Sequence, residues 1–319
     1  MIAIRTNDSF LKIHDIEEIL PQKLSDEEWK IYPDIKSMAD DKDEIEIIIN
    51  EGRIDEEDLE KLDKVKWIFS YSAGVDFYPL EYMEKRGIIL TNTSGVHAKN
   101  ISEQVLGAMI MFSRNLITAL KNQEKKIYDG DISVGELTGK NLLIIGTGAI
   151  GKEIARRARA FDMNVCGVRN HPDGNVPDNF DEIYKTDDLE EHLKGFDYVV
   201  SVVPSTEKTR GMFDKRKFEL MDEDAVFINV GRGDLIVQDD LIEALLNKKI
   251  RGAYLDVFPK EPVPEDSKLW KIDNLLMTPH NAGTTPNYFT RAMDIFKENL
   301  ERYKNGRELI NTINYGLKY

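Results

Sequence analysis

The chain has one cysteine, Cys166, in 319 residues. One thiol builds neither a disulfide framework nor a cysteine-rich metal site, so no metal is expected and a reducing cytoplasm is the expected compartment. Long apolar runs are missing too. None approaches the ~18 to 20 residues that span a bilayer, and Arg5 and Asp8 interrupt the apolar start, so neither a signal peptide nor an anchor is expected. Positive charge is in deficit, with 43 Lys and Arg against 58 Asp and Glu and a formal net charge of −15. Such a surface repels phosphate backbones and anionic headgroups, which argues against nucleic acid or membrane partners. Repeats, low-complexity tracts and proline-rich linkers are also absent. What the chain does have is 41% hydrophobic residues and 21 glycines, enough for sizeable cores, and a length that suits two domains better than one.

Short apolar runs at Ile2–Ile4, Ile45–Ile49, Trp67–Ser70 and Ile88–Leu90 are separated by acidic, helix-compatible stretches. Strands alternating with helices imply a parallel sheet covered on both faces. From Asn100 to about Tyr128, apolar residues at Val105, Met109, Phe112, Leu116 and Leu120 predict one long, mostly buried helix. A second series of strands then begins at Leu142, Val165, Tyr198, Ala225, Gly252 and Leu275, giving a second doubly wound unit, and Tyr288–Tyr303 is again helical. The fold class is therefore α/β, with two doubly wound parallel-sheet domains.

The strand Leu142–Ile145 runs into Gly146, Thr147, Gly148, Ala149, Ile150 and Gly151, and then into a helix-forming stretch, Lys152–Ala160. That is GxGxxG in the context its mechanism requires. The first glycine permits the tight turn, the second lets the backbone approach a pyrophosphate, and the third lets helix and strand pack closely. A dinucleotide is the expected cofactor. The next strand, Asn164–Val168, leads to Arg169, Asn170 and His171. A carboxylate there would hold both ribose hydroxyls, whereas a guanidinium pairs with a 2′-phosphate. Asp162 and Asp173 stand away from that position, so NADP is expected over NAD, with a solvated Arg169 as the plain alternative.

Three polar islands each follow an apolar strand: Asn229–Gly233, Asp256–Pro262 and Thr278–Gly283. Ligands of open α/β sheets bind outside the carboxyl ends of the strands, so all three islands can converge. Within them, Arg232, Glu261 and His280 form a complete set for carbonyl reduction. Histidine supplies a proton donor near neutrality, a carboxylate on its far nitrogen fixes the tautomer, and arginine holds a carboxylate and polarises the adjacent carbonyl.

Over nearly its full length, in register, the chain resembles the D-isomer-specific 2-hydroxyacid dehydrogenases, in particular glyoxylate and hydroxypyruvate reductases. The resemblance rests on Leu137-Thr138-Gly139-Lys140, the glycine loop, Val203-Pro204 with Thr209, Asn229-Val230-Gly231-Arg232-Gly233, Asp256-Val257-Phe258 with Glu261-Pro262, and Pro279-His280. It implies Arg232, Glu261 and His280 as the catalytic set. It implies cofactor contacts along Gly146–Gly151 and at Pro204, Thr209, Val230, Asp256 and Ala282, with Asp256 near the nicotinamide amide. It further implies that Ser72-Ala73-Gly74-Val75-Asp76 is the substrate loop, in which the backbone N–H groups of Ala73, Gly74 and Val75, with Arg232, receive a carboxylate.

The family's topology implies a Rossmann cofactor domain, residues 100–285, inserted into a flavodoxin-like substrate domain made of residues 1–99 and 286–319. The helices from Ile101 and near Tyr288 would cross between lobes, and the cleft would close over substrate. His97 is expected in a solvent or capping role. A homodimer built around the cofactor domains, using the helix from Ile101 and the stretch 129–138, is also implied. Arg169 replaces the acidic residue common in the family. A regulatory module of the kind found in many serine-pathway phosphoglycerate dehydrogenases is not expected, and Glu261 in place of Gln argues against the formate dehydrogenase branch. The expected activity is hydride transfer between NADP(H) and a small 2-oxo acid or D-2-hydroxy acid. A nucleotide-sensing, corepressor-like binding protein and an NAD-linked oxidation of D-hydroxy acids stay open as alternatives.

Overall fold

The computed structural model describes residues 1–75, 77–170, 172 and 174–316. His171, Asp173 and Asp76, to which the sequence reading assigned or denied site roles, lie outside the described residues. The chain divides into two compact units, Met1–Val96 with Thr285–Tyr319, and His97–Thr284.

The first unit opens with β1 (Ile2–Arg5), α1 (Ile13–Lys23), β2 (Trp29–Tyr32), β3 (Ile47–Asn50), α2 (Glu56–Glu60), β4 (Trp67–Ser70), α3 (Leu80–Arg86) and β5 (Ile89–Thr91). The second runs α4 (Ala98–Ser113), α5 (Leu116–Glu124), β6 (Asn141–Ile145), α6 (Ala149–Arg159), β7 (Asn164–Arg169), β8 (Glu182–Lys185), β9 (Tyr198–Ser201), α7 (Lys215–Leu220), β10 (Val226–Asn229), α8 (Gln238–Leu246), β11 (Gly252–Leu255) and β12 (Leu275–Met277). The helix α9 (Tyr288–Lys304) belongs again to the first unit.

Every pairing between these strands is parallel. The first sheet has the order β2-β1-β3-β4-β5, the flavodoxin-like arrangement, and the second has β12-β11-β10-β9-β6-β7-β8, the Rossmann order with one strand added. The central strands are apolar up to their last residue because helices cover both faces. β3, β4, β9, β10 and β11 are buried at all four positions. Alternate residues feed opposite cores, as Leu143 and Ile145 lie in one cluster while Leu142 and Ile144 lie in the other. In the first unit α9 docks Phe296 against Trp67, ring centroids 5.0 Å apart. Phe296 is fully buried, and such a side chain contributes roughly 1.5–3 kcal/mol by leaving water.

Three expectations are corrected. The helix predicted from Asn100 to Tyr128 is two helices, α4 and α5, because Asn115 adopts a left-handed φ of 52°. Residues Leu116 and Leu120 continue the apolar pattern but α5 buries none of its residues. Two strands were missed, β2 and β8, and both are edge strands. An edge strand is covered less completely and tolerates polar residues, as in Trp-Lys-Ile-Tyr and Glu-Ile-Tyr-Lys.

Candidate active site

The site of the second unit is assembled at the carboxyl ends of β6, β7, β9, β10, β11 and β12. At the end of β6, Gly146 turns the chain with φ 104°, a conformation a side chain would strain. A Cβ on Gly151 would fall 2.0 Å from the Gly146 carbonyl oxygen, so α6 can start this close to β6 only with glycine there. A Cβ on Gly148 would meet no protein atom within 4 Å, and Gly148 and Ala149 are exposed at the head of α6. Thr147 is buried beneath them, its methyl against Gly167 of β7, and Ile150 is half-buried. The loop therefore presents open backbone N–H groups and the positive end of a helix, a cradle that fits a pyrophosphate.

Arg169 is the last residue of β7, and one of its Nη atoms donates to the Asn175 carbonyl, 2.8 Å away. Asn170 beside it is exposed, whereas Asp162 lies before the strand, at its opposite end. After β9, Pro204 is exposed. Its carbonyl accepts a bond from the Thr209 hydroxyl at 2.7 Å, while the same hydroxyl meets the Thr206 N–H at 2.8 Å and the Thr206 hydroxyl at 3.0 Å. Thr209 thus closes the loop that follows β9. Val230 is buried under the next loop and its N–H bonds to the Ser201 carbonyl.

Arg232, Glu261 and His280 follow β10, β11 and β12, three neighbouring strands, and all three are exposed. Asn229 ends β10 and shapes the turn by donating to the Arg232 carbonyl at 2.9 Å and accepting from the Gly231 N–H at 3.1 Å. A Cβ on Gly233 would fall 2.0 Å from the Phe258 carbonyl carbon, so this turn lies directly on the loop that carries Glu261. The Glu261 carboxylate accepts from the Phe258 N–H at 2.8 Å through Oε1 and meets His280 Nδ1 at 2.8 Å through Oε2. Partial burial alone would push the Glu261 carboxyl up. The hydrogen bonds from His280 and Phe258 and the charges of His280 and Arg232 outweigh it and hold the group below its usual range, so the carboxylate is ionised at neutral pH. His280 adopts φ 51°, and its Nε2 is the ring nitrogen that Glu261 leaves available. Sequence reasoning named all three of these residues, and the structure brings Glu261 and His280 into contact.

Asp256 is 2% exposed, and its carboxylate holds the loop after β12, accepting from Asn281 N–H and Ala282 N–H at 3.0 Å each and from the Thr278 hydroxyl. Ala282 is buried; its N–H is bound to Asp256 and its carbonyl to Asn100 Nδ2 at 2.7 Å. His97 was read as a solvent or capping residue. Its side chain makes no cap bond to α4, and Nδ1 donates to the Gly283 carbonyl at 2.8 Å. The polar residues Gln104 and Asn100, which hold this loop, were missed because a helix face gives no sign in sequence of the loop it will meet.

In the first unit, Ala73 and Gly74 are exposed after β4, while Val75 is buried in the core. Asn92 donates to the Ala73 carbonyl at 2.7 Å, and Gly74 N–H points to Ser72 Oγ at 3.3 Å. Among the described residues no group of three or more metal-ligating side chains forms, and no helix is long and apolar enough to cross a membrane.

A Rossmann strand order, a glycine turn at its switch point, and an ionised carboxylate on a histidine at the neighbouring strand ends define a dinucleotide-dependent oxidoreductase. The family model of the D-isomer specific 2-hydroxyacid dehydrogenase NAD binding domain matches residues 106–282, more than half of the chain, and the chain belongs to that family. It is 33% identical over 275 residues to a D-3-phosphoglycerate dehydrogenase of Methanocaldococcus jannaschii, covering 86% of this chain and 52% of that enzyme, so it spans about half of that relative's length. It is 30% identical over 272 residues to a glyoxylate reductase of Korarchaeum cryptofilum, covering 82% and 80% of the two chains. The crystal structure of a D-isomer specific 2-hydroxyacid dehydrogenase family protein from Aeromonas salmonicida superposes with a TM-score of 0.75 at 30% identity, over 98% of each chain.

Proposed function

We propose that this enzyme reduces a small 2-oxo acid of the glyoxylate or hydroxypyruvate kind with NADPH. The observation that carries the reading is the Glu261–His280 contact at 2.8 Å, beside Arg232, at the carboxyl ends of adjacent strands. When bound, the reduced nicotinamide supplies a hydride to the carbonyl carbon. His280, with Nδ1–H held by Glu261, gives the Nε2 proton to the carbonyl oxygen as negative charge develops there, so that C=O becomes CH–OH. The Glu261 carboxylate keeps the ring oriented and stabilises its charged form before the transfer. Arg232 pairs with the substrate carboxylate and polarises the carbonyl. Gly146, Gly148, Ala149 and Gly151 would hold the pyrophosphate, with Pro204 and Val230 bordering the dinucleotide and Asp256 near the nicotinamide amide. The loop Ala73-Gly74-Val75 would receive the substrate carboxylate through its backbone.

Arg169 carries the cofactor preference in this reading. A guanidinium at the end of β7, with Asn170 beside it, favours a 2′-phosphate by ~1.5 to 3 kcal/mol, roughly 10- to 150-fold. The ratio of kcat/KM for NADPH and NADH, measured with a panel of 2-oxo acids in the wild type and in Arg169→Asp, tests both parts. NADPH preference that falls or reverses in the variant supports the reading; turnover of no 2-oxo acid, or a preference for NADH, overturns it. The exposed apolar residues Leu116, Leu120, Ile127, Tyr128 and Val134 of the second unit support a homodimer, which sedimentation as a single-chain species at micromolar concentration would reject.

A further inference from the structure

The loop that carries His280 is tied to a chain of hydroxyl and amide groups that runs back to the helix α4. Gln104 Nε2 donates to the Tyr254 hydroxyl at 2.7 Å, and that hydroxyl meets Thr278 Oγ1, also at 2.7 Å. Thr278 in turn donates to the Asp256 carboxylate. The direction of the protons is forced. A carboxylate only accepts, so the Thr278 proton points to Asp256, and Thr278 must accept from Tyr254. Tyr254, its phenol pushed up by burial, keeps its proton and accepts from the amide of Gln104. Every member therefore points toward one buried anion, the arrangement in which hydrogen bonds reinforce each other.

Asp256 meets the backbone on both sides of His280. Its carboxylate binds the N–H groups of Asn281 and Ala282, and its carbonyl accepts from the His280 N–H at 2.8 Å. Between these anchors His280 takes its left-handed φ of 51°, a conformation costing of order 1–3 kcal/mol that persists only where the surroundings impose it. The loop is held along one face of α4 as well: His97, Asn100 and Gln104, three and four residues apart, bond to Gly283, to Ala282, and to Thr278 with Tyr254.

We infer that Gln104, Tyr254 and Thr278 are positioning residues for His280, holding the 278–282 backbone in the one conformation that aims the ring at Glu261 and at substrate. The inference rests on the reading of His280 as proton donor. The deciding variant is Thr278→Val, which keeps the shape and removes the hydroxyl. Its kcat for the preferred 2-oxo acid is expected to fall ~10- to 100-fold, as a catalytic group displaced by about an ångström does. The KM and the NADPH affinity, the latter read by fluorescence titration, should stay within about 2-fold. Thr278→Ser should recover most of the loss. Tyr254→Phe should lower kcat to a lesser degree, and adding Gln104→Met to it, which also removes the direct bond to Thr278 at 3.2 Å, should cost less than Gln104→Met costs alone, since part of the chain is then already cut. Hydrogen exchange of the 278–284 segment gives a reading independent of turnover: the Asn281 and Ala282 amides should exchange ~10-fold faster in Thr278→Val than in wild type. A Thr278→Val kcat within 2-fold of wild type, a Thr278→Ser variant as impaired as the valine, or unchanged exchange overturns the inference. Should the wild type itself reduce no 2-oxo acid, the proposed function fails, and the exchange measurement still decides whether the chain holds the loop.

Discussion

The two units end their central strands in the same way and then diverge. Asn50 closes β3 and Asn229 closes β10; both are buried, and each donates to a carbonyl two or three residues on, that of Gly52 at 2.6 Å and that of Arg232 at 2.9 Å. Ser70 and Ser201 end the adjacent strands, fully buried. This inner layer of neutral amides and hydroxyls is common property of two parallel sheets whose strand ends face water. Above it, the second unit adds an open glycine cradle and the exposed charges of Arg232, Glu261 and His280, whereas after β4 the first adds exposed Ala73 and Gly74. The scaffold that turns a chain at a strand end is thus separable from the chemistry displayed there. In the proposed function one unit offers side chains that move protons, and the other offers backbone that receives an anion.

The largest effect that sharpens this contrast is expected at His280. His280→Ala should lower kcat by ~100- to 10,000-fold while leaving NADPH affinity within a few-fold, because the group acts in proton transfer. Steady-state kinetics beside a cofactor titration measure it, and near wild-type turnover would remove the histidine from the mechanism. Next in size is Gly148→Val. A Cβ there would meet no protein atom within 4 Å, so the melting temperature should hold, but the branched side chain fills the cradle and should weaken dinucleotide binding ~10- to 150-fold through lost bonds to a charged phosphate. Calorimetric titration and thermal melting separate the two; unimpaired binding would show that the pyrophosphate lies elsewhere.

In the first unit the expected effect is smaller. Asn92→Ala removes the support of the Ala73 carbonyl and should raise the KM for the 2-oxo acid roughly 2- to 10-fold with kcat little changed, the size of one neutral hydrogen bond. An unaltered KM would leave the 72–75 loop without a substrate role. The smallest concerns α6 behind the glycine cradle, where hydrogen bonds from Arg156, and after burial those from Arg157, hold the Glu153 carboxyl at about 2, against an ordinary value of 4.5. A depressed carboxyl stabilises the fold above its unfolded value and loses that contribution as pH falls toward 2. Glu153→Gln should therefore lower stability by about 1 kcal/mol at pH 7, discounted for the exposed arginine, and the gap to wild type should narrow between pH 4.5 and 2. Denaturant unfolding at both ends of that range checks it; a gap independent of pH would mean that packing, not the ion pair, is lost.

Legibility followed burial. Strands buried on both faces, such as Trp67–Ser70 and Val226–Asn229, were readable because three consecutive apolar residues precede the polar one that ends each of them. The edge strands β2 and β8 were not, because their burial is partial and their composition mixed. Helix α5 was misread for the opposite reason: its leucines keep the helical spacing without being buried in this chain, so periodicity extended α4 past the turn at Asn115. At the site, the side chains to which the proposed function gives the chemistry, Arg232, Glu261 and His280, were recognisable by type. The bonds that Thr209 and Ala282 make within the fold were not legible, because a hydroxyl or an amide shows its commitment only when its partners are known.

The sequence by itself determined the glycine turn, the two series of strands and the three polar islands that follow β10, β11 and β12, since each depends on residues that are neighbours along the chain. The tertiary structure alone decided which of them meet. Glu261 and His280 are 19 residues apart and Gln104 and Thr278 are 174 apart, separations that carry no information about distance. Glu261 and His280 come together because β11 and β12 lie side by side in one parallel sheet, where strands ~4.8 Å apart bring their carboxyl ends, and whatever loops follow them, within reach of a hydrogen bond; Gln104 reaches Thr278 because α4 buries its apolar residues in the same core as that sheet.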